Sequence, residues 1–527
     1  MRRCTPLLLL LTLPLACSLP QDLIRLNPAP PGTIAPAPTL PPAYTSTPQP
    51  TPTAPLPPTP TLPPTMLELQ QQAMQPEHTA DLAALGPLTQ YLIEARVQVD
   101  LERNQAAIEG MARILFTNPL DQPLTEIVLA LWPREKTQYL ADMSAGPLIV
   151  NGRVLDVEDQ HLSLRARLPV PLAPGESLDL SLPFRVFNIG VMRDDVPRRF
   201  AIVDDVLIAP TFYPLLPRLV DGEWQVEAPP PGGDTTNSDA AYYTVRLTWP
   251  AGYALAATGT ALDLQENLDG TNSATFVSGP VRDFAFAVGR LESEDRTLGD
   301  LRLRGWVLPA NARDLDRLLD TAAAQVEILQ GLLGPYPYAE LDLVDAPGAF
   351  GGIEYPGLVF IGTVGTQGLV GPVVHEIGHQ WFYGLVGNNQ LNDPWLDEAA
   401  ATYTEVLYYE SAVGPERATS LLREYHDLVG TYATDPMMPI GLPVGAYASE
   451  QDYALIVYLK GALFFDALRR ELGDEAFFAF LRSYIEEQRY GFAGPETFEH
   501  LAEAACSCDL GPLFDHWVYA GGPLAEP

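Results

Sequence analysis

Residues 375–379, His-Glu-Ile-Gly-His, lie in an apolar stretch with the pattern of a helix. On a helix, residues four apart share a face, so the imidazoles of His375 and His379 can converge on one metal ion, for which zinc is the natural choice. Glu376 lies beside that face and is the candidate general base that takes a proton from a water molecule at the metal. The stretch predicts a helix that carries two metal ligands and a catalytic carboxylate.

A catalytic zinc site needs a third protein ligand, and Glu398 is the candidate. It lies 19 residues beyond the second histidine, in residues 395–398 (Trp-Leu-Asp-Glu), where Asp393 and Pro394 mark the start of a second helix. The loop over 384–392, rich in Gly and Asn, can turn that helix to face the first. Two helical histidines alone are commonly hydrogen-bonded core groups, whereas the added carboxylate favours a zinc site with two His and one Glu.

Two other acidic residues lie on the second predicted helix. Asp397 is adjacent to Glu398 but is expected to point elsewhere on the helix. Glu405 lies two turns after Glu398. It is either a carboxylate that holds a ligand imidazole from behind or an exposed helical glutamate, and both interpretations stay open.

The N-terminal residues have the composition of an export signal followed by a spacer. Residues 1–17 combine a basic start, a leucine-rich run and a small-residue end, which predicts a secretory signal with a bacterial lipobox and Cys17 as the lipidation site. Ordinary cleavage nearby is the alternative. Residues 18–86, with a long Pro- and Thr-rich run, are expected to form a disordered stalk. The expected location is therefore extracytoplasmic, at a bacterial cell envelope.

Two folded domains are expected after the stalk. Alternating apolar residues and turn-rich segments predict a β-sandwich-like domain over 87–295. Beyond Asn311 the apolar period becomes helical, with short strand-like runs at 341–344 and 358–361, so an α/β domain is expected over 296–527. The metal motif lies in this second domain.

The charge balance excludes one class of partner. The formal net charge is −35, from 31 Lys and Arg against 66 Asp and Glu. A field of this sign repels nucleic acid and anionic membrane surfaces, so nucleic-acid binding is not expected. No segment beyond the signal is long and apolar enough to span a bilayer, so the expected membrane attachment is an N-terminal lipid.

Only two cysteines, Cys506 and Cys508, fall in the expected folded part. They either close a small ring or remain two thiols, and without nearby histidines they are a poor metal site. No disulfide framework is predicted.

Four motifs in a fixed order carry a resemblance to a known family. In chain order they are residues 351–355 (Gly-Gly-Ile-Glu-Tyr), residues 375–382, residues 395–398 and residues 458–462 (Tyr-Leu-Lys-Gly-Ala). Together they resemble the zinc site, the Gly-x-Met-Glu-Asn exopeptidase signature and the Tyr-x-Lys-Gly segment of the aminopeptidase N family of gluzincins. The resemblance implies a β-rich N-terminal domain followed by a thermolysin-like, mostly helical zinc-peptidase domain.

The same resemblance implies a role for each residue of the metal site. His375, His379 and Glu398 would bind one Zn2+. Glu376 would be the general base and then carry the proton to the leaving amine. Tyr458 would donate a hydrogen bond to the oxyanion of the tetrahedral intermediate.

Substrate binding is implied for the upstream motif. Glu354 would bind the free α-amino group of a peptide, and Gly351 and Gly352 would let the substrate lie along an edge strand. A carboxylate one residue-length from the zinc selects the end of a peptide, so the expected activity is that of an aminopeptidase. Ile353 and Tyr355 stand where the family has Met and Asn, so no substrate preference is carried over.

Two other functions stay open. An endopeptidase of the same fold would cleave peptides with blocked as well as free N-termini. A non-catalytic surface-binding protein would retain the fold and the zinc without hydrolysis. Every polar group expected of the catalytic site is present in the sequence, which favours the peptidase.

Overall fold

The structure, a computed structural model, describes residues 66–192, 198–230, 237–346 and 351–524. The predicted signal, the lipidation site at Cys17 and most of the predicted stalk lie outside these ranges. Within them, no helix has the length and apolar character needed to cross a membrane.

The last part of the predicted stalk is folded, which corrects the boundary placed at residue 86. It contains helices α1 (Met66–Gln71) and α2 (Asp81–Ala84). The backbone N–H of Gln75 donates to Pro337 O at 2.8 Å, and Met74 pairs with Tyr338 in a β-bridge. Unlike the proline-rich run, this segment has apolar side chains to bury, and it packs onto the second domain instead of remaining extended.

The N-terminal domain consists of strands whose alternating side chains face a common core. In the first strand every second residue from Tyr91 to Val99 is buried, as a period of two requires. The nineteen described strands are β1 (Thr89–Asp100), β2 (Gln105–Thr117), β3 (Leu124–Ala130), β4 (Asp142–Ala145), β5 (Leu148–Val150), β6 (Arg153–Leu155), β7 (Glu158–Asp159), β8 (Ser163–Leu172), β9 (Ser177–Phe187), β10 (Ala201–Val203), β11 (Val206–Pro210), β12 (Leu219–Val220), β13 (Glu223–Trp224), β14 (Ala241–Pro250), β15 (Ala254–Ala257), β16 (Thr260–Ala261), β17 (Gln265–Glu266), β18 (Thr271–Val277) and β19 (Ala285–Gly289).

These strands form one large sheet and several small ones. The ten-stranded sheet has the order β16-β18-β14-β1-β2-β9-β5-β6, with β17 paired to β18 and β4 to β9. Only β1 and β14 run parallel in it. The smaller sheets are β10-β11-β19-β15, β3-β8-β7 and β12-β13. The four-stranded sheet packs against the second domain, where Ile208 and Ala287 share an apolar cluster with Ile353 and Phe360.

The second domain begins with a five-stranded sheet in the order β20-β21-β22-β24-β23. Its strands are β20 (Glu292–Leu298), β21 (Leu301–Val307), β22 (Glu340–Asp345), β23 (Gly352–Ile353) and β24 (Leu358–Ile361). The boundary predicted at residue 295 falls inside β20. Because β20 pairs with β21 along its whole length, it belongs to the second domain.

Helices make up the rest of the second domain. They are α3 (Leu315–Leu333), α4 (Val370–Gly378), α5 (Trp395–Ala412), α6 (Pro415–Tyr432), α7 (Glu450–Tyr453), α8 (Gly461–Leu472), α9 (Asp474–Gln488), α10 (Pro495–Cys506) and α11 (Gly511–Phe514). A π-helical segment, Ala454–Lys460, joins α7 to α8. Of the two states left open for Cys506 and Cys508, the structure shows the disulfide.

Small residues let α8 approach α5, the helix that carries Glu398. A Cβ on Gly461 would collide with the Cβ of Ala399. We expect Gly461→Ala to destabilise the protein by about 1–3 kcal/mol, because both backbones would have to move in a packed core. Gly331, exposed on α3 with no atom near its added Cβ, is the matched control, and Gly331→Ala should gain about 0.5–1 kcal/mol. Urea unfolding measures both, and equal shifts would contradict the close contact.

Candidate metal centre and active site

Three buried side chains meet between α4 and α5. His375 projects from α4, His379 directly follows it, and Glu398 lies in the first turn of α5. The Nε2 atoms of the two histidines are 3.1 Å apart, and Glu398 Oε2 lies 3.3 Å from His375 Nε2 and 3.2 Å from His379 Nε2. Zinc bonds of 2.0–2.1 Å in a tetrahedron place ligand atoms about 3.3–3.4 Å apart. The three atoms therefore have nearly the spacing of one face of a zinc site.

The other nitrogen of each imidazole is held by the protein. His379 Nδ1 lies 3.1 Å from Phe382 O, so it is the protonated nitrogen and leaves Nε2 free to bind a metal. His375 Nδ1 lies 3.1 Å from Glu405 Oε1, and Tyr425 OH donates to Glu405 Oε2 at 3.2 Å. Of the two interpretations of Glu405, the structure favours the one in which it holds a ligand imidazole.

Burial and mutual interactions act in opposite directions on the pKa values of the triad formed by His375, His379 and Glu398. Burial by itself lowers the pKa of both imidazoles, but their interactions with Glu398 outweigh it, so the pKa of His379 rises to about 9 and that of His375 rises well above its usual range. Burial likewise favours protonation of Glu398, but the imidazoles hold its pKa well below the usual range. The ionised carboxylate therefore attracts positive charge, which a metal cation can supply in place of protons.

Glu376 is fully buried beside the triad. Neither of its carboxylate oxygens has a hydrogen-bond partner among the described residues, and burial raises its pKa well above the usual range. A buried carboxylate without protein partners is costly unless a ligand or water occupies the site. Its location and its unused oxygens are those of a general base that contacts a reacting water.

Strand β23, the edge strand along which the substrate is expected to lie, runs directly alongside Glu376. Gly352 lies on β23, at the edge of the five-stranded sheet, and a Cβ there would collide with the carboxyl group of Glu376. Gly351 precedes it and is also buried. The glycine at 352 thus has a second role that the sequence did not indicate, because it makes room for the carboxylate of Glu376.

Tyr458 reaches the triad from the π-helical segment Ala454–Lys460. Its hydroxyl donates to Glu398 Oε1 at 2.6 Å, and its ring stacks on that of His375 with the centroids 5.7 Å apart. In a π-helix each backbone hydrogen bond spans five residues instead of the four of an α-helix, and such segments are frequent at functional sites. The phenol therefore lies in the same site as the triad.

Two glutamines hold Glu354, and sequence reasoning missed both. Gln380 lies just after the metal helix, and its Nε2 contacts the backbone carbonyl of Glu354 at 3.5 Å. Its Oε1 accepts from Gly357 N at 2.8 Å. Gln390 Nε2 donates to Glu354 Oε1 at 3.2 Å. Gln380 could have been noticed by its position next to the metal motif, but Gln390 lies in a polar loop with no periodic signal.

The N-terminal domain also contacts the loop that follows the metal helix. Arg282 is fully buried, and its Nε donates to Tyr383 O at 2.8 Å. Tyr383 has a φ of 104°, unusual for a side-chain-bearing residue, and its hydroxyl donates to Asp283 Oδ2 at 2.6 Å. No pattern in the sequence indicated that the first domain contacts this region.

Comparison with known proteins covers the second domain best. Residues 330–517 match the family model described as "Peptidase family M1 domain". Over 249 residues the chain is 30% identical to human Aminopeptidase RNPEPL1, which covers 43% of this chain and 34% of that protein. Over 213 residues it is 31% identical to human Aminopeptidase B, covering 36% of this chain and 32% of that protein. The chain thus spans about a third of the length of the curated relatives that it matches.

Among solved structures, the M1 zinc metallopeptidase from Deinococcus radiodurans has a TM-score of 0.66 to this chain at 23% identity, covering 87% of this chain and 97% of that chain. A mutant of that protein bound to a Tyr-Ser-Ala substrate has a TM-score of 0.64 at 22% identity, covering 84% of this chain and 95% of that chain. The likeness confirms the predicted fold, a β-sandwich-like domain followed by a thermolysin-like domain.

Proposed function

We propose that this chain, whose residues 330–517 match the peptidase family M1 domain, is a zinc-dependent aminopeptidase of the aminopeptidase N-like gluzincins. Its substrates would be peptides with free N-termini. The observation that carries the proposal is the unengaged, buried carboxylate of Glu376 beside three atoms spaced for one zinc ion. In a core that served only for packing, a buried carboxylate would be expected to have hydrogen-bond partners, and Glu376 has none among the described residues.

His375, His379 and Glu398 would hold one Zn2+, which acts as a Lewis acid and lowers the pKa of a coordinated water when bound. Glu376 would take a proton from the attacking water and deliver it to the leaving amine. The Tyr458 hydroxyl, which donates to Glu398 Oε1 in this structure, would donate its hydrogen bond instead to the substrate oxygen on which negative charge develops.

Recognition of the peptide end is assigned to Glu354. Its carboxylate is buried, with 3% of the residue exposed, so an α-ammonium group that reaches it is largely removed from water. A charged hydrogen bond in such surroundings favours a free N-terminus over an acetylated one. The edge strand β23 can align the substrate main chain beside the metal site.

The test compares aminoacyl amides with free and acetylated N-termini. We expect the wild-type protein to hydrolyse only the free-amine set and to lose activity with a chelator. Glu354→Gln should lower kcat/KM by about 5- to 15-fold, because a charged hydrogen bond worth about 1.5–3 kcal/mol becomes a neutral one worth about 0.5–1.5 kcal/mol. Steady-state release of the fluorophore measures each rate.

Other outcomes separate the remaining functions. Equal cleavage of the free and acetylated sets would show an endopeptidase. No cleavage by a protein that contains zinc would favour the non-catalytic binding protein. Glu475→Gln, at an exposed position on α9, controls for the charge change and should leave kcat/KM unchanged.

A further inference from the structure

An amide bridge connects two buried carboxylates on different elements. Gln390 Nε2 lies 3.2 Å from Glu354 Oε1 and 3.0 Å from Asp397 Oδ2. Gln390 is 4% exposed, Glu354 3% and Asp397 0%. A primary amide has two N–H groups on one nitrogen, and this geometry gives one to each carboxylate.

The far end of the bridge is firmly anchored. Asp397 Oδ1 accepts from Asn388 Nδ2 at 2.8 Å, and the same amide nitrogen lies 3.1 Å from Asp393 O. Asp397 directly precedes Glu398 on α5. The bridge therefore connects the carboxylate assigned to the substrate amine with the helix turn that supplies the third metal ligand.

The near end restrains a side chain whose backbone is already held. Gln380, which follows the metal helix, contacts the carbonyls of Glu354 and Tyr355 at 3.5 and 3.4 Å. The side chain of Glu354 has rotatable torsions, and the contact between its carboxylate and Gln390 Nε2 is one restraint on them. Loss of that contact would weaken the hold on the position of the carboxylate relative to the metal site.

We propose that Gln390 is a positioning residue that fixes the distance between the amine-binding carboxylate of Glu354 and the metal site, and so makes the enzyme remove one residue at a time. The assignment rests on the proposed aminopeptidase function. One residue of extended chain is about 3.3 Å long, so a carboxylate displaced by a comparable distance would let a peptide bind one residue out of register.

The experiment uses the zinc-loaded full chain and an unblocked tetrapeptide, with products separated by chromatography. Gln390→Met has nearly the same side-chain volume but no amide. We expect its kcat/KM to fall about tenfold, with zinc content unchanged and dipeptide appearing among the products. Gln390→Asn, one methylene too short to reach both carboxylates, should show the same shift in products. Asn389→Ala removes the side-chain oxygen that accepts from Leu391 N and Asn392 N in the same loop. This control variant should release single residues like the wild type.

Each result decides between roles. Single-residue release by Gln390→Met and Gln390→Asn at the wild-type kcat/KM would overturn the positioning role. Loss of zinc together with activity in both variants would show a general structural role and would also overturn it. A wild-type protein that releases no amino acid would instead refute the aminopeptidase function on which the assignment depends.

Discussion

Glu376→Gln should lower kcat by about 10²- to 10⁴-fold while the protein keeps its fold and its metal. The amide has nearly the volume of the carboxylate, so the space beside Gly352 remains filled, but it cannot accept a proton from the attacking water. Because neither oxygen of Glu376 bonds to a described residue, its loss removes little folded-state hydrogen bonding. Steady-state kinetics on a free-amine substrate, together with zinc analysis, measures the effect.

The stability of this variant is informative as well. Burial raises the pKa of the Glu376 carboxyl well above its usual range, so burial of its charge opposes folding near neutral pH. We therefore expect Glu376→Gln to be at least as stable as the wild type in urea. Activity within threefold of the wild type would exclude Glu376 as the general base.

Glu398→Ala should abolish stoichiometric zinc binding and, with it, peptide hydrolysis. The substitution removes the only carboxylate oxygen that approaches both His375 Nε2 and His379 Nε2 among the described residues. A ligand that binds only the folded state stabilises it by about 4 kcal/mol at a thousandfold excess over Kd. Added zinc should therefore raise the Tm of the wild type and have little effect on the Tm of the variant.

The matched control for this change is Glu416→Ala, at an exposed position in the first turn of α6. It should keep one zinc per chain and full activity. A Glu398→Ala protein that binds zinc as tightly as the wild type would show that a different side chain supplies the third ligand. Metal analysis after dialysis and calorimetric titration with zinc distinguish these outcomes.

The metal site could be predicted from the sequence because its signals are local. Residues 375 and 379 lie one turn apart on a single helix, so their side chains must share a face whatever the rest of the chain does. Glu398 required one longer step, since only its place at the start of a second helix indicated it. The strand patterns were equally local, and the period of two in β1 appears in the structure as one buried face.

The domain limits were predicted less well. The segment containing α1 and α2 was assigned to the stalk because it follows a proline-rich run, yet Met74 and Gln75 contact residues more than 260 positions away. The boundary predicted at residue 295 divides strand β20, whose mostly exposed and charged residues lack the apolar alternation from which strands were predicted. The first error concerns a segment whose structure depends on distant partners. The second concerns a strand whose partner, β21, follows it directly in the chain.

The sequence by itself predicted the three candidate zinc ligands, the candidate general base and the two-domain order, because these follow from short-range periodicity and from the chemistry of a few residue types. Only the tertiary structure decided how Glu354 is held, through Gln380 and Gln390, and how Arg282 of the first domain binds the loop after the metal helix. The physical reason is that these hydrogen bonds join residues 26 to 101 positions apart and leave no periodic trace in the chain. The partners of Glu354 become neighbours when the second domain folds, and the Arg282 contact forms only when both domains are folded.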